Sequence, residues 1–334
     1  MKTLNFSKRL LCVVIAVSLV TFIGVPFVSA ETEGPFRYHI SGGEANISKC
    51  DQSVQGHLDI PETLGGCPVG SIGNRAFMGC LELTSVTIPS GLHTLQGSAF
   101  WYCGLTTVTI PKTVMNIGDA AFEECYSLTE IIVEEGNPNY ISVDGVLFTK
   151  DLTKVMQYPC AKKDSYYSVP QGVKTIDEWS FAVNPYLKKV VLSDTVTTIE
   201  EFAFHVCENL TDVTVPASVK QIDRGAFGWT LQDVTRLPVE GFIMHGYAGT
   251  AAEYYCLEYE AYGFTLDLLN QKGDNNHDNL VNAKDAMIAL RLAVRKGNVT
   301  PGLLQVSDVT ANTLVNAQDA LEILKKAVGK PSCF

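Results

Sequence analysis

A twelve-residue pattern of oxygen-bearing side chains occurs twice near the C-terminus of the chain. The first copy runs from Asp274 to Asp285 and the second from Asp308 to Asp319, and both end in L-V-N-A-x-D-A before an apolar periodic segment. Oxygen side chains at positions 1, 3, 5, 9 and 12 suit Ca²⁺, a hard cation that takes six to eight oxygen ligands. The spacing therefore predicts two Ca²⁺ sites, each at the start of one helix.

The ligands can be assigned position by position from an EF-hand-type loop. Such a loop uses side-chain oxygens at positions 1, 3 and 5, a backbone carbonyl at 7, a water-mediated contact at 9 and a carboxylate at 12. In the first site these are Asp274, Asn276, Asp278, Leu280, Asn282 and Asp285, and in the second Asp308, Thr310, Asn312, Leu314, Asn316 and Asp319. The second loop has two carboxylates against three, so we expect it to bind Ca²⁺ more weakly. The alternative is two Asp/Asn-rich turns that cap helices without a metal.

The helices that follow the loops would carry a partner-facing surface. Apolar spacing assigns a shared core to Met287, Leu290, Ala293 and Val294 in the first helix and to Leu321, Leu324, Ala327 and Val328 in the second. We expect partner-binding residues at more exposed positions, which are Ala283, Lys284, Ile288, Arg291, Arg295, Ala317, Gln318, Glu322 and Lys325.

Two loops in register, each followed by one helix, resemble a type I dockerin over residues 273–331. The resemblance implies a small all-α domain with two F-hand calcium loops that docks onto a cohesin of a cellulosome scaffold, in the context of polysaccharide degradation. The Ser-Thr pair usual at loop positions 10 and 11 is replaced by Ala283-Lys284 and Ala317-Gln318. The class of cohesin is therefore left open.

The middle of the chain, residues 72–231, repeats a unit of 22 to 23 residues. The unit reads I-x-x-x-A-F-x-x-C-x-x-L-x-x-V-x-I-P, with Ala76-Phe77, Ala99-Phe100 and Ala121-Phe122 among its Ala-Phe steps. The alternating V-x-I stretch predicts a short strand with one inward face, and the Ala-Phe step predicts a core ring on a helical turn. No single unit can bury its apolar face alone, so the copies must stack into a solenoid.

These repeats resemble the BspA-like leucine-rich repeat family over most of residues 38–267. The resemblance implies a multidomain protein in which a right-handed solenoid of short strands and short helical turns, residues 31–267, begins with an N-terminal hairpin. It also implies a hairpin insertion at about 134–168 and a closing cap at about 238–267. A short linker, 268–272, would then lead to the dockerin-like tail.

Residues 1–30 have the features of a cleaved secretory signal. A basic start at Lys2, Lys8 and Arg9 precedes an apolar run, and small residues at Val28-Ser29-Ala30 suit the cleavage positions. A membrane anchor is the competing interpretation, but the run is interrupted and short for a span of about 20 apolar residues. We expect cleavage before Glu31, no membrane span in the remainder, and an extracellular protein held at a cellulosome or cell surface through its tail.

Charge and cysteine content limit the partners further. The chain has 25 basic and 36 acidic residues, and an acidic surface disfavours nucleic acid as a partner. Four of the ten cysteines hold equivalent repeat positions, and neighbouring rungs would place their side chains about 4.8 Å apart. We therefore expect a ladder of buried thiols at Cys80, Cys103, Cys125 and Cys207. Cys50 with Cys67 is the pair to examine first for a disulfide bridge.

The sequence contains no G-x-S-x-G or H-E-x-x-H motif, and its six histidines are scattered. We therefore predict a non-catalytic accessory protein whose repeats bind protein, cell wall or plant polysaccharide. The alternative is an enzyme or enzyme inhibitor delivered by the same tail. Two surfaces are candidates for binding. One is a Thr-rich strand face, which includes Thr84, Thr87, Thr106, Thr107, Thr109 and Thr214; the other is an aromatic row of Trp101, Tyr102, Tyr126, Trp179, Tyr186 and Trp229.

Overall fold

The computed structural model describes residues 30–232, 235–247, 249–269, 286, 289 and 317–327. The signal segment up to Ser29 lies outside these residues, as do residues 270–272 of the predicted linker. All predicted Ca²⁺ ligands except Asp319 also lie outside them. The same is true of Ala283, Lys284, Ile288, Arg291 and Arg295 among the partner-binding residues, and of Met287, Leu290, Ala293, Val294 and Val328 among the core residues.

Eleven strands build the N-terminal half of a solenoid. They are β1 (Glu31–Glu33), β2 (Phe36–Ser41), β3 (Glu44–Cys50), β4 (Gly56–Asp59), β5 (Thr63–Leu64), β6 (Cys67–Ile72), β7 (Leu83–Thr87), β8 (Thr94–Leu95), β9 (Thr107–Ile110), β10 (Asn116–Ile117) and β11 (Glu130–Val133). β1, β2 and β3 pair antiparallel, and β6, β8 and β10 then join β3 as parallel neighbours. The pairs β4–β7 and β9–β11 are parallel, and β5 pairs antiparallel with β6.

Thirteen strands and three helical segments follow in the described residues. They are β12 (Tyr140–Val143), β13 (Val146–Thr149), β14 (Lys154–Gln157), β15 (Tyr166–Ser168), β16 (Thr175–Ile176), β17 (Lys189–Val191), β18 (Thr198–Ile199), β19 (Asp212–Thr214), β20 (Gln221–Ile222), β21 (Trp229–Gln232), β22 (Thr235–Pro238), β23 (Ile243–Gly246), α1 (Ala251–Glu258), a 3₁₀ turn (Glu260–Tyr262), β24 (Thr265–Leu268) and α2 (Ala317–Ala327). β12 and β13 form an antiparallel hairpin that leads into β14. From β14 the parallel order continues through β16, β18 and β20, and the second face has the order β15, β17, β19, β23 and β24.

Parallel stacking follows from the repeat, because equivalent residues of successive units lie side by side. Ile72 pairs with Leu95, and Leu95 pairs with Ile117, one unit apart each time. Ile72 and Leu95 are fully buried. The alternation of apolar and polar residues thus points one side-chain face of the short strands into the interior, as predicted.

Aromatic rings at the Phe position of the repeat form two stacked ladders in the core. Ring centroids lie 4.8 Å apart between Phe77 and Phe100 and 5.6 Å apart between Phe100 and Phe122. The second ladder runs through Tyr158, Phe181, Phe204 and Phe227, with successive centroid distances of 4.9, 4.5 and 4.6 Å. All seven rings are fully buried, which confirms the predicted core position of the Phe residues.

The thiols at the Cys position of the repeat are buried, as predicted. Cys103 Sγ donates to the backbone carbonyl of Phe77 at 2.8 Å, and Cys125 Sγ donates to that of Phe100 at 3.0 Å. Every cysteine in the described part of the chain is a free thiol, Cys50 and Cys67 included, so the suggested bridge between these two is not formed.

The prediction of helical turns in the repeats is wrong. The Ala-Phe step lies in a tight turn, where the Met78 N–H donates to the Arg75 carbonyl at 3.1 Å. In the second unit the residues that flank the step, Ser98 and Tyr102, have φ values of 55° and 57°. Residues in this left-handed region cannot continue a right-handed helix. In the described residues, all helical segments, including the short 3₁₀ turn, come after residue 250.

The C-terminal end of the solenoid is closed by α1. Ala252, Tyr255 and Cys256 of this helix are buried against the last rung. The Tyr255 hydroxyl accepts from the Phe227 N–H at 2.9 Å and donates to the Phe227 carbonyl at 2.9 Å. One phenol thus satisfies two backbone groups that would face another rung if the stack continued.

The predicted core face of the tail helix α2 is wrong. Ala320 and Ile323 are buried together with Ala286 and Ala289, whereas Leu321 and Leu324 are 46% and 41% exposed. Asp319 is fully buried at the start of α2. Because two residues along a helix differ by roughly 200° in direction, an inward Asp319 turns Leu321 outward.

The same rotation changes the role of Glu322, which we predicted at an exposed, partner-facing position. The residue is only 5% exposed. Its carboxylate accepts from Lys325 Nζ at 2.6 Å and from Gln318 Nε2 at 2.9 Å. Glu322 therefore shares the buried side of α2 with Asp319 and Ile323, and it holds two neighbours that lie closer to the surface.

Candidate functional site

The turns of successive rungs form an outer row along one side of the solenoid. In each complete rung two left-handed residues flank the turn that carries the core Phe; they are Arg75 and Gly79, Ser98 and Tyr102, Ala120 and Glu124, Trp179 and Val183, and Phe202 and Val206. Except at Ala120 and Glu124, their amides connect one rung to the next. The Ser98 N–H donates to the Asp119 carbonyl at 3.0 Å, and the Tyr102 N–H donates to the Glu123 carbonyl at 2.9 Å.

One rung, which follows the β12–β13 hairpin, lacks this outer turn. Its core ring, Tyr158, comes three residues after Val155, whereas Phe181 comes five residues after Ile176, the β16 partner of Val155. The stretch from Lys154 to Cys160 contains no left-handed residue. The rung therefore runs straight behind the outer row and leaves a gap between the turn at Ala120–Glu124 and the turn at Trp179–Val183. We call this gap the notch.

The two walls of the notch carry unused backbone groups. Within the described residues, the N–H groups of Ala120, Phe122 and Glu124 have no hydrogen-bond acceptor, although the equivalent groups of the preceding rung are all bonded. On the opposite wall the Glu178 carbonyl has no donor in the same part of the chain. Ala120, Glu124 and Glu178 are partly exposed.

A groove of about 720 Å³ includes the notch and extends along the outer row on both sides of it. We call it the notch groove. Arg75 and Trp101 lie at one end, Glu123, Glu124 and Glu178 in the middle, and Trp179 and His205 at the other end; Asn74, Gly97, Ser98, Gly118, Asp119, Ala120, Tyr126, Val183 and Val206 complete the lining.

The middle of the notch groove is acidic and poorly solvated. The pKa of Glu123 is raised to about 7, mainly by burial and also by the nearby charges of Glu124 and Glu178, whereas Arg75 acts to lower it. Burial also raises the pKa of Glu124, and the nearby polar groups of Tyr126 and Trp101 oppose this shift. A positive charge placed among these carboxyl groups would stabilise their ionised forms.

Aromatic side chains border these carboxyl groups. The Arg75 guanidinium carbon lies 5.3 Å from the centre of the Trp101 ring, which is within cation–π range. Trp179 Nε1 donates to Glu178 Oε1 at 2.8 Å, and its ring meets His205 edge-on at 5.3 Å. These contacts fix both indoles at the groove wall.

The predicted aromatic row is only partly assembled at this site. Trp101, Tyr126 and Trp179 line the notch groove. Tyr102 packs edge-on against Tyr126 at 5.8 Å. Trp229 is buried and packs edge-on against Tyr259 and Tyr262 at the closing cap, so it belongs to the core of the cap. The sequence pattern did not predict the carboxyl groups and the open amides of the notch groove. The one sequence feature that indicates them is the shortened spacing from Val155 to Tyr158.

The Thr-rich strand face is less distinctive. Thr84, Thr87, Thr106, Thr107 and Thr109 are exposed, as predicted. Further along the same face, Lys189 Nζ lies 3.1 Å from Asp212, and His245 Nδ1 lies 2.8 Å from Asp267. Its polar groups thus bond one another in the later rungs, and the notch groove is the stronger candidate site.

No cluster of three or more His, Cys, Asp or Glu side chains in the described residues could hold a metal ion. Asp319 is the one predicted Ca²⁺ ligand that the structure describes. Among the helices that it describes, none is long and apolar enough to cross a membrane.

The fold and the outer row of turns define a solenoid protein of the leucine-rich repeat class. Residues 57–157 and 158–233, more than half of the chain, match the BspA type leucine rich repeat region with six copies of the repeat. The chain belongs to the BspA-type leucine-rich repeat family. No curated protein matches it.

Several solved structures are similar to this chain. A leucine-rich cell surface protein from Faecalibacterium prausnitzii is 19% identical, with 75% of this chain and 97% of that chain covered and a TM-score of 0.43. A leucine-rich repeat protein from Eubacterium ventriosum is 20% identical, with 66% of this chain and 72% of that chain covered and a TM-score of 0.43. A leucine-rich repeat protein from T. pallidum is 22% identical, with 55% of this chain and 81% of that chain covered and a TM-score of 0.39.

Proposed function

We propose that this chain is a secreted, non-catalytic binding protein with two attachment surfaces. The repeats bind a partner protein at the notch groove. The tail is a dockerin that holds two Ca²⁺ ions and docks onto a cohesin of a cellulosome scaffold. The observation that carries the docking function is the duplicated twelve-residue loop, whose last residue in the second copy, Asp319, is fully buried at the start of α2.

Packing in the tail supports the duplication. The loops begin at Asp274 and Asp308, and the same offset relates Ala286 to Ala320 and Ala289 to Ile323. These four residues form one buried cluster. Equivalent positions of the two copies therefore pack against each other, as an internal two-fold repeat requires. Such a repeat would allow two docking poses.

The burial of Asp319 supports its role at the second Ca²⁺ site. Position 12 of an EF-hand-type loop supplies a carboxylate that coordinates from the first turn of the following helix. An outward Asp319 would argue against that role, whereas this side chain is turned wholly inward.

The docking surface that we propose on α2 has an apolar centre. Leu321 and Leu324 are exposed on this helix. Gln318 and Lys325 flank them, and Glu322 holds both of these side chains from the buried side. In the first copy, Lys284, Ile288 and Arg291 are the proposed counterparts of Gln318, Glu322 and Lys325.

The proposed location is extracellular, at a scaffold or cell surface. The N-terminal segment up to Ala30 has the features of a cleaved secretory signal. The similar protein from Faecalibacterium prausnitzii is described as a cell surface protein.

Calorimetric titration with a panel of cohesins, first with Ca²⁺ and then with chelator, tests the docking function. We expect saturable binding to one cohesin that chelator abolishes. A cohesin that binds equally well in chelator would contradict a calcium-dependent dockerin. The matched variant Leu321→Glu/Leu324→Glu should lose the cohesin but keep Ca²⁺ binding, because it changes only exposed side chains.

An enzyme remains the second candidate because of one observation. The raised pKa of Glu123, beside the carboxyl groups of Glu124 and Glu178, is a property that general acids need. This candidate predicts turnover of a polysaccharide or peptide that Glu123→Gln abolishes. Saturable binding without turnover favours the binding protein.

A further inference from the structure

We infer that the notch binds one extended peptide segment of a partner protein, and that a lysine or arginine of this segment enters the acidic middle of the notch groove. The segment takes the place of the outer turn that the straight rung lacks. This inference deepens the proposed protein-binding function of the repeats, and it does not depend on the dockerin.

The backbone groups of the notch point to a peptide. The Ala120 and Glu124 N–H groups face the notch from one wall, and the Glu178 carbonyl lies on the other wall. In the complete junction one rung earlier, the corresponding Ser98 and Tyr102 N–H groups are bonded to carbonyls of the next rung. A peptide offers carbonyl and N–H groups on opposite sides of one backbone, which is how an added strand completes an open sheet edge.

The two walls of the notch lie close together. Glu123 and Glu124 of one wall and Glu178 of the other line one groove, and the charge of Glu178 acts on Glu123. One extended segment can therefore contact both walls at once.

Charge then selects the side chain. Glu123, Glu124 and Glu178 border the middle of the notch. Arg75 is the positive charge that acts on Glu123. Arg75 is itself placed over Trp101. An added lysine or arginine would meet three carboxyl groups and the Trp179 ring, whose edge-on contact with His205 leaves it fixed at the wall. A neutral sugar would supply no charge to these groups, and an acidic segment would be repelled.

Pools of acetylated hexapeptides provide the probe, each with one residue fixed at the third position and the others randomised. In chelator, which removes any calcium-dependent docking, we expect pools with Lys or Arg fixed to bind the full chain at least tenfold more tightly than pools with Gln or Glu fixed. The variant Glu123→Gln/Glu124→Gln should lose this preference. The matched control Glu135→Gln/Glu258→Gln, which changes two exposed carboxylates outside the notch groove, should keep it.

Amide hydrogen exchange locates the bound peptide. With the Lys pool present, the Ala120 and Glu124 amides should become at least tenfold more protected, whereas the already bonded Ser98 and Tyr102 amides should not change. Equal binding of all pools, or a Lys preference that leaves Ala120 and Glu124 unprotected, would overturn the inference. Protection of these amides by cellohexaose or xylohexaose at lower concentration than by the Lys pool would assign the notch to saccharides instead. Loss of cohesin binding would bear only on the tail.

Discussion

Tyr158 stacks on Phe181 with 4.9 Å between the ring centroids, although its rung has no outer turn. The straight rung therefore keeps its place in the core ladder while it vacates the surface. Because Phe181 continues the ladder to Phe204 and Phe227, the interruption costs the second half of the solenoid none of its ring stacking. An open notch is thus compatible with unbroken ring stacking from Tyr158 to Phe227.

Phe100→Ala should destabilise the solenoid strongly. Phe100 is fully buried between Phe77 and Phe122, so truncation leaves a cavity that neighbouring rungs cannot fill. We expect the free energy of unfolding to fall by about 3–5 kcal/mol. Chemical denaturation measures this change. The control Tyr102→Ala, in which a 41% exposed ring is removed from the next turn position, should cost much less, and equal losses would contradict the assigned core.

Tyr255→Phe should weaken the closing cap. The Tyr255 hydroxyl bonds both the N–H and the carbonyl of Phe227 in a buried place, and the variant leaves both backbone groups unpaired. We expect a loss of about 1–3 kcal/mol in the free energy of unfolding. Tyr254→Phe on the same helix is the matched control, because Tyr254 is 66% exposed. A Tyr255 variant as stable as this control would show that the cap does not depend on the phenol.

Glu123→Gln should change how stability depends on pH. The pKa of Glu123 is raised from 4.5 to about 7 in the folded chain, so the folded state holds this proton more tightly than the unfolded state does. Ionisation therefore disfavours folding, and the native chain loses stability relative to the variant as pH rises from about 4.5 to about 7. The difference should level off above that range.

Denaturation midpoints of both proteins across this pH range provide the measurement for Glu123. Glu135→Gln, which changes an exposed carboxylate, should track the native chain at every pH. A pH-independent difference between the native chain and Glu123→Gln would contradict the raised pKa.

Asp274→Ala/Asp308→Ala should remove the response of the tail to Ca²⁺. Position 1 of each proposed loop supplies a carboxylate, and without it we expect addition of Ca²⁺ to leave helical circular dichroism unchanged. The unfolding transition of the repeats should stay where it is. Asp194→Ala, at an exposed position in the repeats, is the control that keeps the Ca²⁺ response. A native chain whose helical signal is the same with and without Ca²⁺ would contradict the metal sites.

The regular part of the solenoid could be predicted because each repeat position has one physical role. Phe100 and Cys103 recur at fixed spacing, and both are buried as the pattern indicated. The conformation of the turn could not be predicted in this way. Ser98 and Trp179 occupy left-handed positions without being glycine or asparagine, so the local residue types gave no warning of them.

Two other features depended on geometry that the apolar pattern does not contain. In α2, Leu321 and Leu324 are more apolar than Ala320, yet Ala320 is buried and they are exposed. The inward carboxylate of Asp319 sets this rotation. The notch arises from a missing stretch of chain between Val155 and Tyr158, and its open amides belong to the preceding rung. Only a rung-by-rung alignment of residue spacing would have revealed it.

Residue-resolved amide exchange on the free protein tests the open notch most directly. Protection factors of Ala120 and Glu124 would be compared with those of Ser98 and Tyr102, which occupy the same two turn positions one rung earlier. We predict at least tenfold lower protection at Ala120 and Glu124, because their N–H groups have no acceptor among the described residues. Equal protection at the two rungs would contradict the notch, since it would mean that these amides are already bonded within the chain.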